Sequence, residues 1–533
     1  MPPDRAAADR DSRARLHSRY APEAEAERYL KEALGDRRPS LALILGAADN
    51  YLGKALRSAI PGVRIVVLQP APGLCGAMVD RPDLSWEPGS GVDADAILDY
   101  AASDGKAAGG VAVIEWPPAM RAYPEGAQAI RLAAAAFLER NAAAAATRSY
   151  WAERWLKNSL RFALALGTRG GRRLALRRGA GPLIVAGAGP GLGPALRGLK
   201  EAGLSGAAGG RLWCLASGAE ACVAGGFAPA LCVATDPGHW NRLHIRRAYA
   251  VGLPLALPPS AAAPAAALES ADVLPLDLGT PFDRAALAAC GARAAGANVA
   301  GTAFGSALSL ALPSTDGPVI ALGMELAARG FAAHAAPYAL DPVDLLPVSR
   351  LAPREALLGA QAYERYPERL GAWRLSRAFK AYAQDSYASA ADAARCLRLS
   401  DSPVDCGLAR VGWEEAAALL RCAREGAGPR LVEGGPLRPP RERALALEAW
   451  LREERRRLGE ALAARASAAA PSPDGSREPF SHDDVVALLA LCGREAAVAV
   501  AQAARGELGA AEAEAADRAL GRGLERYLEA LFA

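Results

Sequence analysis

Residues 181–196 read GPLIVAGAGPGLGPAL: a run of apolar residues, a glycine-rich turn and the opening of a helix. Leu183–Ala186 has the continuous apolar character of a short strand buried on both faces, and a helix takes over from about Gly193. Strand, tight turn and helix in that order form the repeating unit of a parallel α/β sheet. The segments downstream repeat it. RLWCLAS (Arg211–Ser217) is a strand followed by the helix Gly218–Gly225, and ALCVATD (Ala230–Asp236) is a third strand with an aspartate just past its end. Leu253–Leu257, Val273–Leu276 and Pro318–Leu322 are further strands.

Upstream, LALILGAADNYLGKAL contains a strand at Leu41–Leu45, a turn at Gly46 and a helix starting near Asn50. Val63–Gln69 and Val111–Trp116 continue the same alternation, and Gly126–Leu166 is mostly helical. After about Leu346 the strands are expected to stop. Ala352–Ala394, Trp413–Glu425, Pro440–Ala466 and Asp483–Phe532 read as helices, with ASAAAPSPDGSREPF as an exposed loop before the last. The fold class is therefore α/β: two Rossmann-like parallel-sheet domains followed by an all-helical C-terminal domain. The boundaries are 1–125 for the N-terminal domain, 126–180 for a helical connector, 181–346 for the central domain and 347–533 for the helical domain.

Composition narrows the function classes. The 533 residues suffice for three to four domains at about 150 residues each. Hydrophobic residues make up 51% and charged residues 23%, the balance of a soluble globular protein, and a net charge of +4 excludes a wholesale polybasic nucleic-acid binder. Nine scattered cysteines without a CxxC pair argue for reduced thiols in the cytoplasm and against a zinc module. The first twenty residues, charged throughout, do not read as a signal peptide. The uncharged stretches Ala248–Leu268 and Ala294–Thr315 are broken by prolines and by glycines with polar residues, so neither is expected to enter a membrane.

Ligands of doubly wound sheets bind outside the carboxyl ends of the strands, and four features fall there. The first is the turn Gly187-Ala188-Gly189-Pro190-Gly191. Its glycines would let backbone approach a phosphate at a helix N-terminus, but Pro190 removes a donor and the G-x-G-x-G spacing is not the dinucleotide fingerprint. It reads as well as a structural turn. The second, Asp236-Pro237-Gly238-His239, offers a carboxylate for a ribose hydroxyl, a metal or an acceptor, or else a helix cap. With Ala234 there is no D-x-D pair, so no metal-dependent nucleotide-sugar site is expected. The third, GANVAGTAFGSALSLAL, places Asn298, Thr302 and Ser306 at a small-residue helix start that suits either a ligand or packing. The fourth, PVIALGMELAARGFAAHA, ends a strand at Glu325 and runs on to His334. That pair could supply a general base or a ligand anchor.

These features occur in an order that resembles the motility accessory factor (Maf) glycosyltransferases, whose central domain is of the hydroxymethylpterin pyrophosphokinase-like (MptE-like) type. The matching stretches are LHSRYAPEAEAERYL, LILGAADNYLGKAL, IVAGAGPGL (like a GxGPSL turn), FAPALCVATD and ALGMELAARGFAAHA, with a weak echo in VDCGLARVGWEEA. The resemblance implies transfer of a nonulosonic, sialic-acid-like sugar from its CMP-activated form to Ser or Thr of flagellin in the cytoplasm, serving flagellar assembly and motility. It implies no resident cofactor and no metal. Gly187, Gly189, Pro190 and Gly191 would lie around the donor, Asp236 at its ribose or phosphate, and Asn298 and Thr302 near cytidine or phosphate. Glu325 or His334 would be the base, with backbone N–H groups after Gly191 as a phosphate cradle. Three positions depart from the family pattern: Gly191 replaces the turn serine, Glu325 replaces a strand-end aspartate, and Gln69 stands where the N-terminal domain often has an acidic residue after its second strand. Two other readings share these features, a catalytically degenerate flagellin-binding homologue and a pterin pyrophosphokinase-like enzyme.

Overall fold

The central strands of the two parallel sheets, such as Leu41–Leu45, Leu183–Ala186, Leu212–Leu215 and Val319–Leu322, are short, fully buried apolar runs, as parallel strands covered on both faces must be. The computed structural model describes residues 16–35, 37–102, 110–205, 210–298, 301–383, 387, 392–422, 426–467, 480–505 and 508–532. Most of the N-terminal segment and of ASAAAPSPDGSREPF therefore lies outside the described residues. The chain divides into two compact units, Met1–Glu153 with Leu451–Leu531, and Arg154–Trp450. Among the described residues no helix is long and apolar enough to cross a membrane.

The first unit holds a parallel sheet of β1 (Leu41–Leu45), β2 (Arg64–Leu68), β3 (Leu84–Trp86) and β4 (Val111–Glu115), in the order β3-β2-β1-β4. The short β3, whose apolar content is only Leu84 and Trp86, is not legible as a strand from sequence. Asn50 caps the helix Tyr51–Ala59 from a left-handed conformation, its side chain accepting from Gly53 N. The topology switches between β1 and β4, and the chain itself fills that crevice. Trp116 Nε1 donates to Leu16 O at 2.8 Å, and the His17 ring stacks on Trp116 with centroids 5.0 Å apart. Gln69, buried at the end of β2, accepts from Ala48 N and donates to Ala48 O.

The second unit is built on nine parallel strands. β5 (Leu174–Arg177) stands apart; β6 (Leu183–Ala186), β7 (Leu212–Leu215), β8 (Leu231–Val233), β9 (Leu255–Leu257), β10 (Val273–Asp277), β11 (Ala295–Gly296) and β12 (Val319–Leu322) follow. Then come β13 (Ala328–Arg329), β14 (Glu368–Leu370), β15 (Trp373–Leu375), β16 (Cys396–Leu399), β17 (Ala409–Arg410) and β18 (Arg430–Glu433). The large sheet runs β11-β10-β9-β8-β7-β6-β12-β16-β17, while β13-β15-β14 forms a small antiparallel sheet and β18 pairs with β5.

Strands thus continue well past Leu346, and β16 and β17 belong to the same sheet as β6. They escape a reading by periodicity because β16 (CLRL) carries Arg398 in its middle, β17 has two residues, and the hairpin β14–β15 is rich in Arg and Glu. The expected helix Ala352–Ala394 is in fact Arg354–Arg365, that hairpin, and Arg377–Ala383; most of 384–391 lies outside the described residues. The last helical run is three helices, His482–Cys492, Arg494–Arg505 and Ala510–Phe532. Gly493, at φ +61°, ends the first of them.

Candidate active site

From β6 the chain lays down β7, β8, β9, β10 and β11 on one side, then returns to place β12 on the other side of β6. The carboxyl ends of β6 and β12 therefore flank the topological switch point, the position outside which ligands of such sheets bind. The turn Gly187–Gly191 and the segment Gly323-Met324-Glu325 occupy those two ends.

Backbone hydrogen bonds sew the two together. Gly187 N donates to Leu322 O at 2.7 Å and Gly189 N to Gly323 O at 2.8 Å. Beneath the turn lies the Glu325 side chain, 1% exposed. A Cβ on Gly189 would strike Glu325 Oε2, and one on Gly191 would strike Oε1, so the glycines make room for the carboxylate. Neither oxygen receives a hydrogen bond of ordinary geometry. The nearest donors, the N–H groups of Gly191 and of Glu325 itself, only partly offset burial, which raises the pKa to about 7. Arg398 on β16, itself 1% exposed, also lowers it, through space; its Nη1 and Nη2 donate to Met324 O and Val404 O, and its buried Nε has no partner.

The loop after β13 reaches back over the turn. Ala335 N donates to Ala188 O at 2.8 Å, which fixes its neighbour His334 beside the glycines. His334 stacks on Tyr338, centroids 4.2 Å apart and planes 11° off parallel. Tyr338 Oη in turn lies 3.5 Å from Nε2 of His244, on the helix Asn241–Ala250. His334 keeps part of its surface open to solvent, while the protein crowds the remainder. That burial, and then the His244 imidazole, push its pKa down to about 4 against the pull of Asp341. The lowered pKa keeps the ring neutral at neutral pH. His244 is also lowered by burial, opposed by Asp236, and its Nδ1 is buried without a partner. Burial raises Tyr338, which stays protonated.

Asp236 is exposed at the end of β8 and does not cap a helix. Its Oδ1 accepts from Gly238 N at 2.6 Å, closing a tight turn, and its carbonyl accepts from Ala262 N. Buried amides brace that loop: Asn158 donates to Pro237 O and Ser260 O, and Asn241 to Ala262 O. Asp283 accepts from both Ser260 N and its hydroxyl.

The fold thus gathers the glycine turn, Glu325, His334 and, through His244 and Tyr338, Asp236. Thr302 is the N-cap of the helix Ala303–Ser314, its hydroxyl accepting from Gly305 N at 2.9 Å. That helix start approaches the turn through Phe304, whose ring faces Gly187. Asn298 is exposed and its backbone N–H is bonded to Ser309 Oγ; no interaction among the described residues links it to the turn. His244, Tyr338 and Arg398 were missed by sequence reasoning. Only Tyr338, four residues after His334, carried a signal that could have found it. Among the described residues no group of three His, Cys, Asp or Glu side chains is placed to hold a metal ion.

Neither a protein-family profile nor a curated protein sequence matches the chain. Among solved structures it is similar to a MAf glycosyltransferase from Magnetospirillum magneticum AMB-1, with TM-score 0.48 and 10% identity over 96% of this chain and 84% of that one.

Proposed function

We propose that the chain is a protein O-glycosyltransferase that moves a nonulosonic, sialic-acid-like sugar from a CMP-activated donor to Ser or Thr of flagellin. The observation that carries this reading is the loop latched onto the glycine turn at the switch point, which sets a neutral imidazole, His334, beside the carboxyl ends of β6 and β12. Transfer with inversion needs a group to take the acceptor hydroxyl's proton while the phosphate of CMP departs. His334 takes the proton. A base with so low a pKa is weak when the site is empty, but a donor phosphate alongside raises it by ordinary charge attraction. Tyr338 stacks on the ring, holds its plane and offers a hydroxyl to the departing phosphate; Asp236 is free on one oxygen to meet the ribose. The backbone around Gly187–Gly191, with Asn298 and Thr302 along the rim, bounds the nucleotide. No cofactor and no metal enter the scheme.

Glu325 cannot meet the acceptor from beneath the turn without the turn opening, so we assign proton abstraction to His334 and keep Glu325 as part of the cradle. Its carboxylate lies under the N–H groups that a phosphate would otherwise claim. That observation favours a second reading, a flagellin-binding homologue without transfer activity.

Calorimetric titration with CMP, beside ATP and GTP and with EDTA present, separates the readings. Cytidine-selective binding that is lost in Asp236→Ala, with transfer from a CMP-nonulosonic acid to purified flagellin that is lost in His334→Ala, is the expected result. Flagellin capture without cytidine binding would sink transfer and leave the second reading standing. Magnesium-dependent ATP binding would point instead to pyrophosphate chemistry.

A further inference from the structure

At the opposite, amino-terminal edge of the large sheet, an open cleft of about 770 Å3 lies beside the start of β10, where Val273 N donates to Arg172 O. Arg172, Arg173, Arg438 and Arg443 line it, with Glu433 as the one acidic lining residue. Arg172 is neutralised by Asp272 at 2.5 Å and lies near Glu433. The other three differ: among the described residues no carboxylate pairs with Arg173, Arg438 or Arg443. Arg173 Nε donates to Gly435 O at 3.0 Å. Arg443, only 3% exposed, donates to the carbonyls of Arg438, Ala163 and Leu166. A guanidinium held by carbonyls alone keeps its full charge, and burying such a charge is costly without an anion.

Capping the end of the helix Pro124–Ala165 accounts for one edge of Arg443. It does not account for two further cations brought alongside. The wall Gly434-Gly435-Pro436-Leu437-Arg438-Pro439-Pro440 is stiff and pinned, Gly434 N donating to Arg173 O at 2.7 Å and Arg438 N to Cys290 O at 3.0 Å. A Cβ on Gly434 or Gly435 would come within 3.0 Å of the Arg173 guanidinium, so these glycines let it lie flat along the wall. The helix Pro440–Ser467 begins at the same rim and adds the positive end of its dipole.

We propose that this cleft binds a small molecule bearing a pyrophosphate or bisphosphate group, gripped by Arg173 and Arg438 at the surface with the charge of Arg443 buried behind them. Planar guanidinium forks match phosphate oxygens in pairs, three unpaired cations call for more than one negative charge, and the volume is that of a small-molecule pocket. The site lies at the other edge of the sheet from the glycine turn, so it is independent of the donor-binding reading above.

The test is calorimetric titration of the full-length protein with sodium pyrophosphate at low ionic strength, with sulfate as a control. Saturable one-to-one binding is expected. It should weaken about tenfold or more in Arg173→Gln/Arg438→Gln. Both arginines reach solvent, so the variant should keep its melting temperature. Binding should persist in Asp236→Ala, which separates this cleft from the glycine turn. No saturable binding, no loss in the double variant, loss in Asp236→Ala, or sulfate binding as tightly as pyrophosphate would each overturn the proposal.

Discussion

Glu325 is an acid whose charge has almost nothing to meet it. Its pKa is raised from 4.5 to about 7 by burial, so the folded protein holds a proton there that the unfolded chain has already released. Between pH 4.5 and 7 the native state binds more protons than the unfolded one, and this group's share of stability falls as pH rises. Below that window no penalty exists; above it the full penalty, about 3 kcal/mol, persists. Glu325→Gln should accordingly be more stable than the parent at pH 8 and no better at pH 4, as denaturant unfolding at the two values would reveal. The same carboxylate explains Gly191. Gly191→Ser puts a side chain where Oε1 lies and should cost ~1–3 kcal/mol by overpacking. Adding Glu325→Asp, which withdraws one methylene, should restore most of that loss. Thermal melts of the two single variants and the double variant form a cycle whose coupling measures the contact.

At the scale of elements, the helix Ala303–Ser314 shows how one residue type serves two readings. Thr302 was a candidate for the donor site, yet its hydroxyl is bonded to Gly305 N. Thr302→Ala should lower stability by about 1 kcal/mol through the lost cap. If the hydroxyl also met a nucleotide, CMP affinity would fall together with stability; titration of the variant reads the two apart. The strands β6, β7, β8 and β12 were legible because each is an uninterrupted apolar run. Their carboxyl ends could therefore be placed, and Glu325, His334 and Asp236 with them. His244, Tyr338 and Arg398 were not legible in the same way. A histidine in the arginine-rich NRLHIRRAYA looks like any polar helix position until the loop carrying Tyr338 folds onto it. An arginine in CLRL looks like a helix face until β16 joins β12.

For the molecule as a whole, the notable fact is which pieces of chain belong together. The helices of Leu451–Leu531 complete the first unit and not the second, and Tyr527 is near enough to feel the charge of Glu153. Truncation after Trp450 should therefore loosen Met1–Glu153 and leave the nine-stranded sheet largely intact. Amide hydrogen exchange mapped on both units would show protection lost in β1, β2 and β4 and kept in β6, β7 and β12. Equal loss in both units would contradict that assignment.

Because one unit is inserted within the other, the ribosome finishes them in reverse of the order in which it starts them. Roughly 300 residues separate the first half of the outer unit from its closing helices, so at ~5–20 residues per second the emerging β1–β4 segment waits for something like 15–60 s. During that interval the stretch around Glu153, which Tyr527 approaches in the finished fold, lacks its last partner, while the inserted unit can already close. The nascent chain is thus most exposed to holding chaperones at its oldest end, and slowed translation beyond Trp450 would lengthen that exposure.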